Sequence, residues 1–409
     1  MPRRVRILLY AIVLLVLAVA VGKVISDRWP DSDRPRPSAR EGGAVREGLE
    51  EFLERWSEAI RNQEEEPATV VVVGDSISEG TLVPSPIHRN RFVGLLQDRL
   101  RESQEIEGGA GWLPAYYGDR LSVDDTLRSG PPSQEYMFKS WGLGGRALLM
   151  PAEAGLTYPE QTATSVRVWY GRTSLFGGQG RVLVDGKDIT DQGELSSGEK
   201  SGATINGASA SDESGLWWTS PPLDRGPHVV QVKSFAPNSF FVHTGVEFFD
   251  GDETSGVRVV DASHSGATAA HFASDNAVRG HWKEVATLEP DLILVNLGTN
   301  PESDYAASLS TMVAHALTAA PTARILLVDG YEPGNWDSEA WETIRKARAD
   351  VAARYPDRVE VFDLASHWPE LAKDGSTSEG LMAEATMPVH PNAEGNVRMA
   401  EIFAELLIP

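Results

Sequence analysis

The stretch TVVVVGDSISEG, residues 69–80, decides how the rest of the chain is read. Thr69, Val70, Val71, Val72 and Val73 are all β-branched. An unbroken run of this kind suits a strand buried on both faces, the situation of a parallel strand with helices above and below. Gly74 relaxes the backbone where the strand ends. In an open parallel sheet, ligands gather just beyond the carboxyl ends of the strands. Ser76 therefore falls where a nucleophile is useful, although a serine there also reads as a simple helix cap. Asp75 reads as a residue that bonds the local backbone.

Four similar runs follow, at 257–260, 292–295, 325–328 and 359–362. Helical patterns follow the first strand at about 90–103 and separate the later ones at about 267–288, 305–320, 338–354 and 392–407. Strands alternating with helices predict an α/β fold, a doubly wound parallel five-stranded sheet in three α/β/α layers. Between the first and second strands the pattern changes to short alternating strands with Gly/Ser/Pro turns, as in SVRVWY (165–170) and HVVQV (228–232). That segment predicts an all-β sandwich inserted into the α/β layers. The expected division is 49–104 and 256–409 for the two parts of the α/β domain, with 105–255 as the insert.

Upstream of the first strand, Arg3, Arg4 and Arg6 precede an apolar stretch running from Ile7 to about Ile25. Such a run is near the lower limit for crossing a hydrocarbon core, and the arginines predict that its N-terminal side stays in the cytoplasm. Residues 1–25 are expected to be a transmembrane signal anchor, in preference to a signal peptide cleaved after Ala18-Val19-Ala20. The protein is thus expected outside the cytoplasm, membrane-anchored or secreted. Residues 26–48, rich in Pro, Arg, Asp and Ser, read as a disordered tether. Leu49, Phe52, Leu53, Trp56 and Ile60 then recur at helical spacing.

The chain has 409 residues, enough for two cores, and a formal net charge of −22. That charge repels phosphate backbones and argues against a nucleic-acid partner. The absence of cysteine excludes disulfides, thiolate nucleophiles, Cys-ligated zinc and lipid attachment through cysteine. No phosphate loop or dinucleotide fingerprint is present, so no cofactor is expected. His264, His271 and His281 lack acidic partners at ligand spacing, so no metal is expected either.

Three further stretches sit at predicted strand exits. Ser263-His264-Ser265-Gly266-Ala267 follows the second strand, and Gly266 offers an unobstructed backbone N–H. Asn296-Leu297-Gly298-Thr299-Asn300 leaves the third, and the Asn300 amide is a donor suited to an oxyanion. His390-Pro391-Asn392 opens the last helix, placing an imidazole near the same edge of the sheet as Ser76. Each also has a bland reading as a cap or turn. Their order is what carries information: Ser76, Gly266, Asn300 and His390 resemble the four blocks of the SGNH, or GDSL, hydrolase family of esterases and lipases. The resemblance implies Ser76 as nucleophile and His390 as general base. It also implies an oxyanion hole made by the Ser76 N–H, the Gly266 N–H and the Asn300 side chain.

Two positions depart from the family. Pro301 follows Asn300 where an aspartate is usual. Met387 stands three residues before His390, where the family has an aspartate that orients the base. Three substitutes are considered, in order: a backbone carbonyl, Glu384 further upstream, or an impaired site that only binds. The stretches at 108–115 (GGAGWLPA) and 141–146 (WGLGGR) look like parts of SGNH proteins with an inserted β-domain, whose expected role is gripping a sugar polymer or narrowing the cleft. Trp217 and Trp218 point to opposite faces of a strand, so one is read as core and the other either stacks on a sugar ring or simply packs at the edge of the protein. The expected activity is hydrolysis of acyl esters, chiefly O-acetyl groups on a polysaccharide, with acylated small molecules and lipids as the other substrates considered. Its rivals are a non-catalytic carbohydrate-binding module and an O-acyltransferase.

Overall fold

The computed structural model describes residues 41–117, 127–131, 134–136, 141–235, 237–274, 280–369 and 380–409. The apolar segment expected to form an anchor, 1–25, lies outside them. Among the described residues, no helix is long and apolar enough to cross a membrane.

Five parallel strands form the central sheet: β1 (Ala68–Gly74), β2 (Val257–Asp261), β3 (Leu292–Asn296), β4 (Arg324–Asp329) and β5 (Val359–Asp363). Their order is 2-1-3-4-5, and β1 pairs with β2 through Val70↔Val259 and with β3 through Val70↔Leu292. Every residue of β1 is buried, as its β-branched run requires. Val70 and Val72 join the layer beneath α1 (Glu41–Arg61), α3 (Phe92–Ser103) and α8 (Ala393–Leu407). Val71 and Val73 join the opposite layer, with α5 (His281–Thr287), α6 (Tyr305–Ala319) and α7 (Ser338–Ala352). Burying a valine fully contributes about 1.5–3 kcal/mol, so this alternation is a strong determinant of register.

Between α3 and β2 the described residues form antiparallel sheets of six, seven and two strands. Leu148, Val166 and Val168 of the seven-stranded sheet share a core with Leu156, Val182 and Val232 of the six-stranded one. Trp112, Leu143 and Trp169 from this segment also enter the second layer of the α/β core, so the β-rich part packs directly on the α/β part.

Two expectations need correction. The first helix begins at Glu41, inside the stretch read as a tether. The helical pattern at 267–288 is interrupted: α4 (Ala269–Ala273) and α5 are separate helices, and α5 restarts after Gly280, whose backbone is extended. The 217–218 pair follows the edge-packing alternative. Trp218 is fully buried and donates to Thr190 O at 3.0 Å. Trp217 packs on the α/β layer, its ring 5.3 Å from that of Trp169 and 5.0 Å from the Arg167 guanidinium.

Candidate active site

The exit of β1 is built for close approach. A Cβ on Gly74 would lie 2.3 Å from Ser78 Oγ, so only glycine fits. Asp75 then caps the short helix α2 (Ser76–Glu79), accepting from Ile77 N–H at 3.0 Å. Its second oxygen accepts from the Thr299 hydroxyl. Burial outweighs these hydrogen bonds and the nearby His390 and raises the Asp75 pKa. The residue thus holds the turn, as its position suggested.

Ser76 opens α2 and is nearly buried, with its Oγ 2.8 Å from His390 Nε2. The imidazole comes from the loop before α8. Asn392 caps that helix by accepting from Gly395 N–H at 2.9 Å. Asn396 ties it to α3 by accepting from Phe92 N–H at 2.9 Å. Tyr331 donates to Val389 O at 2.6 Å, fixing the backbone beside the histidine.

The group that orients His390 is Glu384. Its Oε1 pairs with His390 Nδ1, and its Oε2 accepts the backbone N–H groups of Val389 at 3.2 Å and His390 at 2.9 Å. This corrects the expectation that a backbone carbonyl would do so. Burial raises the Glu384 pKa, but its hydrogen bonds to His390, side chain and backbone, outweigh that and hold the carboxylate below its ordinary range. With Nδ1–H donated to the Glu384 carboxylate, Nε2 is left to accept the Ser76 proton. Met387, in the position usual for the acid, is 65% exposed with φ +48°. The loop turns there and brings in a carboxylate from further upstream. Residues 385–389 contain no other acid, and that was the only sequence signal for Glu384.

Gly266 and Asn300 reach the site less directly, and neither bonds to Ser76 or His390. Gly266 has φ +78°, in the left-handed region that glycine adopts without strain. Among the described residues its N–H has no protein acceptor. The residue before it, Ser265, donates its N–H to Glu79, at the end of α2. The Asn300 amide donates to Ala267 O at 2.9 Å. An amide nitrogen carries two hydrogens, so this bond aims the side chain and leaves one to donate.

The three histidines considered for a metal have other partners. His264 Nδ1 donates to Gly144 O at 2.8 Å, and His281 Nδ1 accepts from Gly144 N–H at 3.1 Å. His271 completes a capping box with Thr268. Among the described residues, no group of three His, Asp or Glu is placed to hold a metal ion.

Residues 251–398 match the family model of the GDSL-like lipase/acylhydrolase family. That span contains Gly266, Asn300, Glu384 and His390, whereas Ser76 precedes the β-rich segment. A comparison with curated proteins found no match. Among solved structures, 59 chains match. One is titled a peptidoglycan O-acetylesterase in action. It is 15% identical and aligns over 87% of this chain and 94% of its own with a TM-score of 0.59, a likeness of fold. A family two carbohydrate esterase from Cellvibrio japonicus is 12% identical, over 69% of this chain and 97% of that one, at a TM-score of 0.27. TesA is 21% identical, over 38% and 81%, at 0.28. Together with the serine, imidazole and carboxylate aligned at the sheet edge, the match identifies the chain as a carboxylic-ester hydrolase carrying a domain of the GDSL-like lipase/acylhydrolase family.

Proposed function

We propose that the protein is an extracytoplasmic serine esterase that removes O-acetyl groups from a carbohydrate polymer of the cell envelope. The observation that carries the serine mechanism is the aligned relay of Ser76 Oγ, His390 and Glu384, with 2.8 Å between Oγ and Nε2. In this mechanism Ser76 Oγ attacks the ester carbonyl carbon while its proton passes to His390 Nε2. The Ser76 and Gly266 N–H groups and the Asn300 amide stabilise the resulting oxyanion. As the ester C–O bond breaks, the imidazolium returns the proton to the departing sugar oxygen, leaving an acyl-serine. Water then attacks the acyl carbon, giving its proton to His390; as the acyl C–Oγ bond breaks, the imidazolium returns that proton to Ser76 Oγ, and acetic acid leaves, ionising to acetate in solvent. Glu384 stabilises the imidazolium in both halves without becoming protonated.

Support for the substrate comes from the peptidoglycan O-acetylesterase whose fold aligns over most of both chains, the β-rich segment included. The apolar stretch at 7–25, behind three arginines, supports a site outside the cytoplasm, where such a polymer lies. The binding-module alternative rested on the missing aspartate, and Glu384 removes that reason for it. The test is acetate release from O-acetylated peptidoglycan fragments by wild type and Ser76→Ala. A fall of at least about 10³-fold in the variant is expected from loss of the nucleophile. Equal release would end the assignment of Ser76, and turnover of p-nitrophenyl acetate without release from the polymer would end that of the substrate.

A further inference from the structure

We propose that Arg146, supplied by the β-rich segment, is a positioning residue that holds the oxyanion side of the site by way of Glu79 and Asp261; this rests on the esterase reading above. Arg146 is completely buried and lies at the end of the WGLGGR stretch. The loop before it presses on the Gly266 loop. Gly144 has φ +65°, and a Cβ there would lie 2.3 Å from Ser263 O. Its N–H and C=O are taken by His281 and His264, and the Leu143 N–H donates to Glu284 at 3.1 Å.

From this anchored loop the guanidinium reaches two carboxylates. Arg146 Nη2 donates to the carbonyl and to Oδ2 of Asp261, each at 2.7 Å, and Nη1 lies 3.7 Å from Glu79 Oε1. Each carboxylate uses its other oxygen on the loop that carries Gly266. Asp261 Oδ1 accepts Ser263 N–H at 2.9 Å, and Glu79 Oε2 accepts Ser265 N–H. Glu79 also ends the helix that Ser76 begins. One cation therefore fixes α2 and the Gly266 loop relative to each other, and with them two of the three proposed oxyanion donors. Arg91 closes the cluster from the other side, paired with Asp261. Without Arg146, the buried carboxylates of Asp261 and Glu79 both lose a cationic partner, and weakening the pairing of buried charge forces structure to move. Displacing a donor by about 1 Å is enough to cost roughly 100-fold in rate.

The test compares the full-length wild type with Arg146→Gln, Arg146→Lys and Glu79→Gln. It measures kcat and KM on p-nitrophenyl acetate, and inhibition by a trifluoromethyl ketone, whose serine adduct carries the oxyanion. Arg146→Gln is expected to lower kcat about 10- to 100-fold with KM within about threefold, and to weaken the ketone in proportion. Arg146→Lys should recover part of both. Glu79→Gln keeps an acceptor for Ser265 N–H while cutting the ion pair, so it reports the same loss if Arg146→Gln fails to fold. A kcat within twofold of wild type in a folded Arg146→Gln or Glu79→Gln chain would overturn the proposal, as would a fall in kcat that leaves ketone binding unchanged. A wild-type chain without Ser76-dependent turnover would overturn the esterase reading itself.

Discussion

At the scale of single residues, Glu384 divides one carboxylate between two tasks. One oxygen holds the His390 ring and the other holds the backbone that carries it. Glu384→Gln keeps the shape but places an amide where a charge must stabilise the imidazolium. We expect kcat to fall by about 10²–10⁴-fold with little change in stability, measured by steady-state kinetics and thermal melting. Undiminished turnover would show that the imidazole is oriented by something else. Ser76 and His390 were picked out in the sequence because each follows a predicted strand and carries chemistry suited to that place, and the structure brings their side chains to 2.8 Å; Gly266 and Asn300 were picked out on the same ground, and their part in an oxyanion hole is a proposal. Glu384 was ranked second there, because its role depends on how six loop residues curl. Met387, the position that suggested an impaired site, is an exposed turn residue.

At the scale of elements, the site depends on how strands end. Gly74 sits where the backbone of β1 passes Ser78 so closely that a methyl group has no room. Gly74→Ala is therefore expected to displace α2, destabilising the chain by about 1–3 kcal/mol and lowering activity with it. Denaturant melts and kinetics on the same preparation check this, and a variant with normal stability and turnover would contradict it. The parallel strands were legible because burial on both faces favours unbroken apolar runs: β1 is a β-branched run buried throughout, and β3 and β4 carry the apolar runs Leu292–Val295 and Ile325–Val328, whereas the edge strands β2 and β5 are interrupted by Arg258 and Glu360. The break between α4 and α5 was missed because the apolar spacing continues across it, and only Gly280 marked the restart. For the Trp217–Trp218 pair, alternation says that the rings face opposite ways but not what covers the second ring; the structure has protein there, the edge-packing alternative.

At the scale of the whole molecule, the α/β layers and the β-rich segment share buried charge and buried histidines. Burial pushes the pKa of His243 down to about 4 and, with the Arg146 charge beside them, those of His264 and His281 to about 3. These rings are neutral in the folded protein at any pH above those values. In the unfolded chain each takes a proton as pH falls through about 6.5. Between these limits the unfolded state binds more protons, so stability is full above about pH 6.5 and declines below it. Each histidine adds up to about 1.4 kcal/mol per pH unit to that decline. Protonating His281 would also turn Nδ1 into a donor facing the Gly144 N–H. We expect the urea midpoint to drop between pH 7.5 and 5.5; a flat profile would contradict the burial of these rings. None of this was legible beforehand. Glu79 and Arg91 come from before the β-rich segment, Arg146 from within it and Asp261 from after it, and nothing local marks them as partners.

The most direct test of the shared site is to treat the folded chain with a fluorophosphonate and map the adduct by mass spectrometry. The account predicts one modification, on Ser76, lost in a denatured control and strongly slowed by His390→Ala. A folded chain that stays unmodified at Ser76, or is modified equally fast without the imidazole, would contradict it.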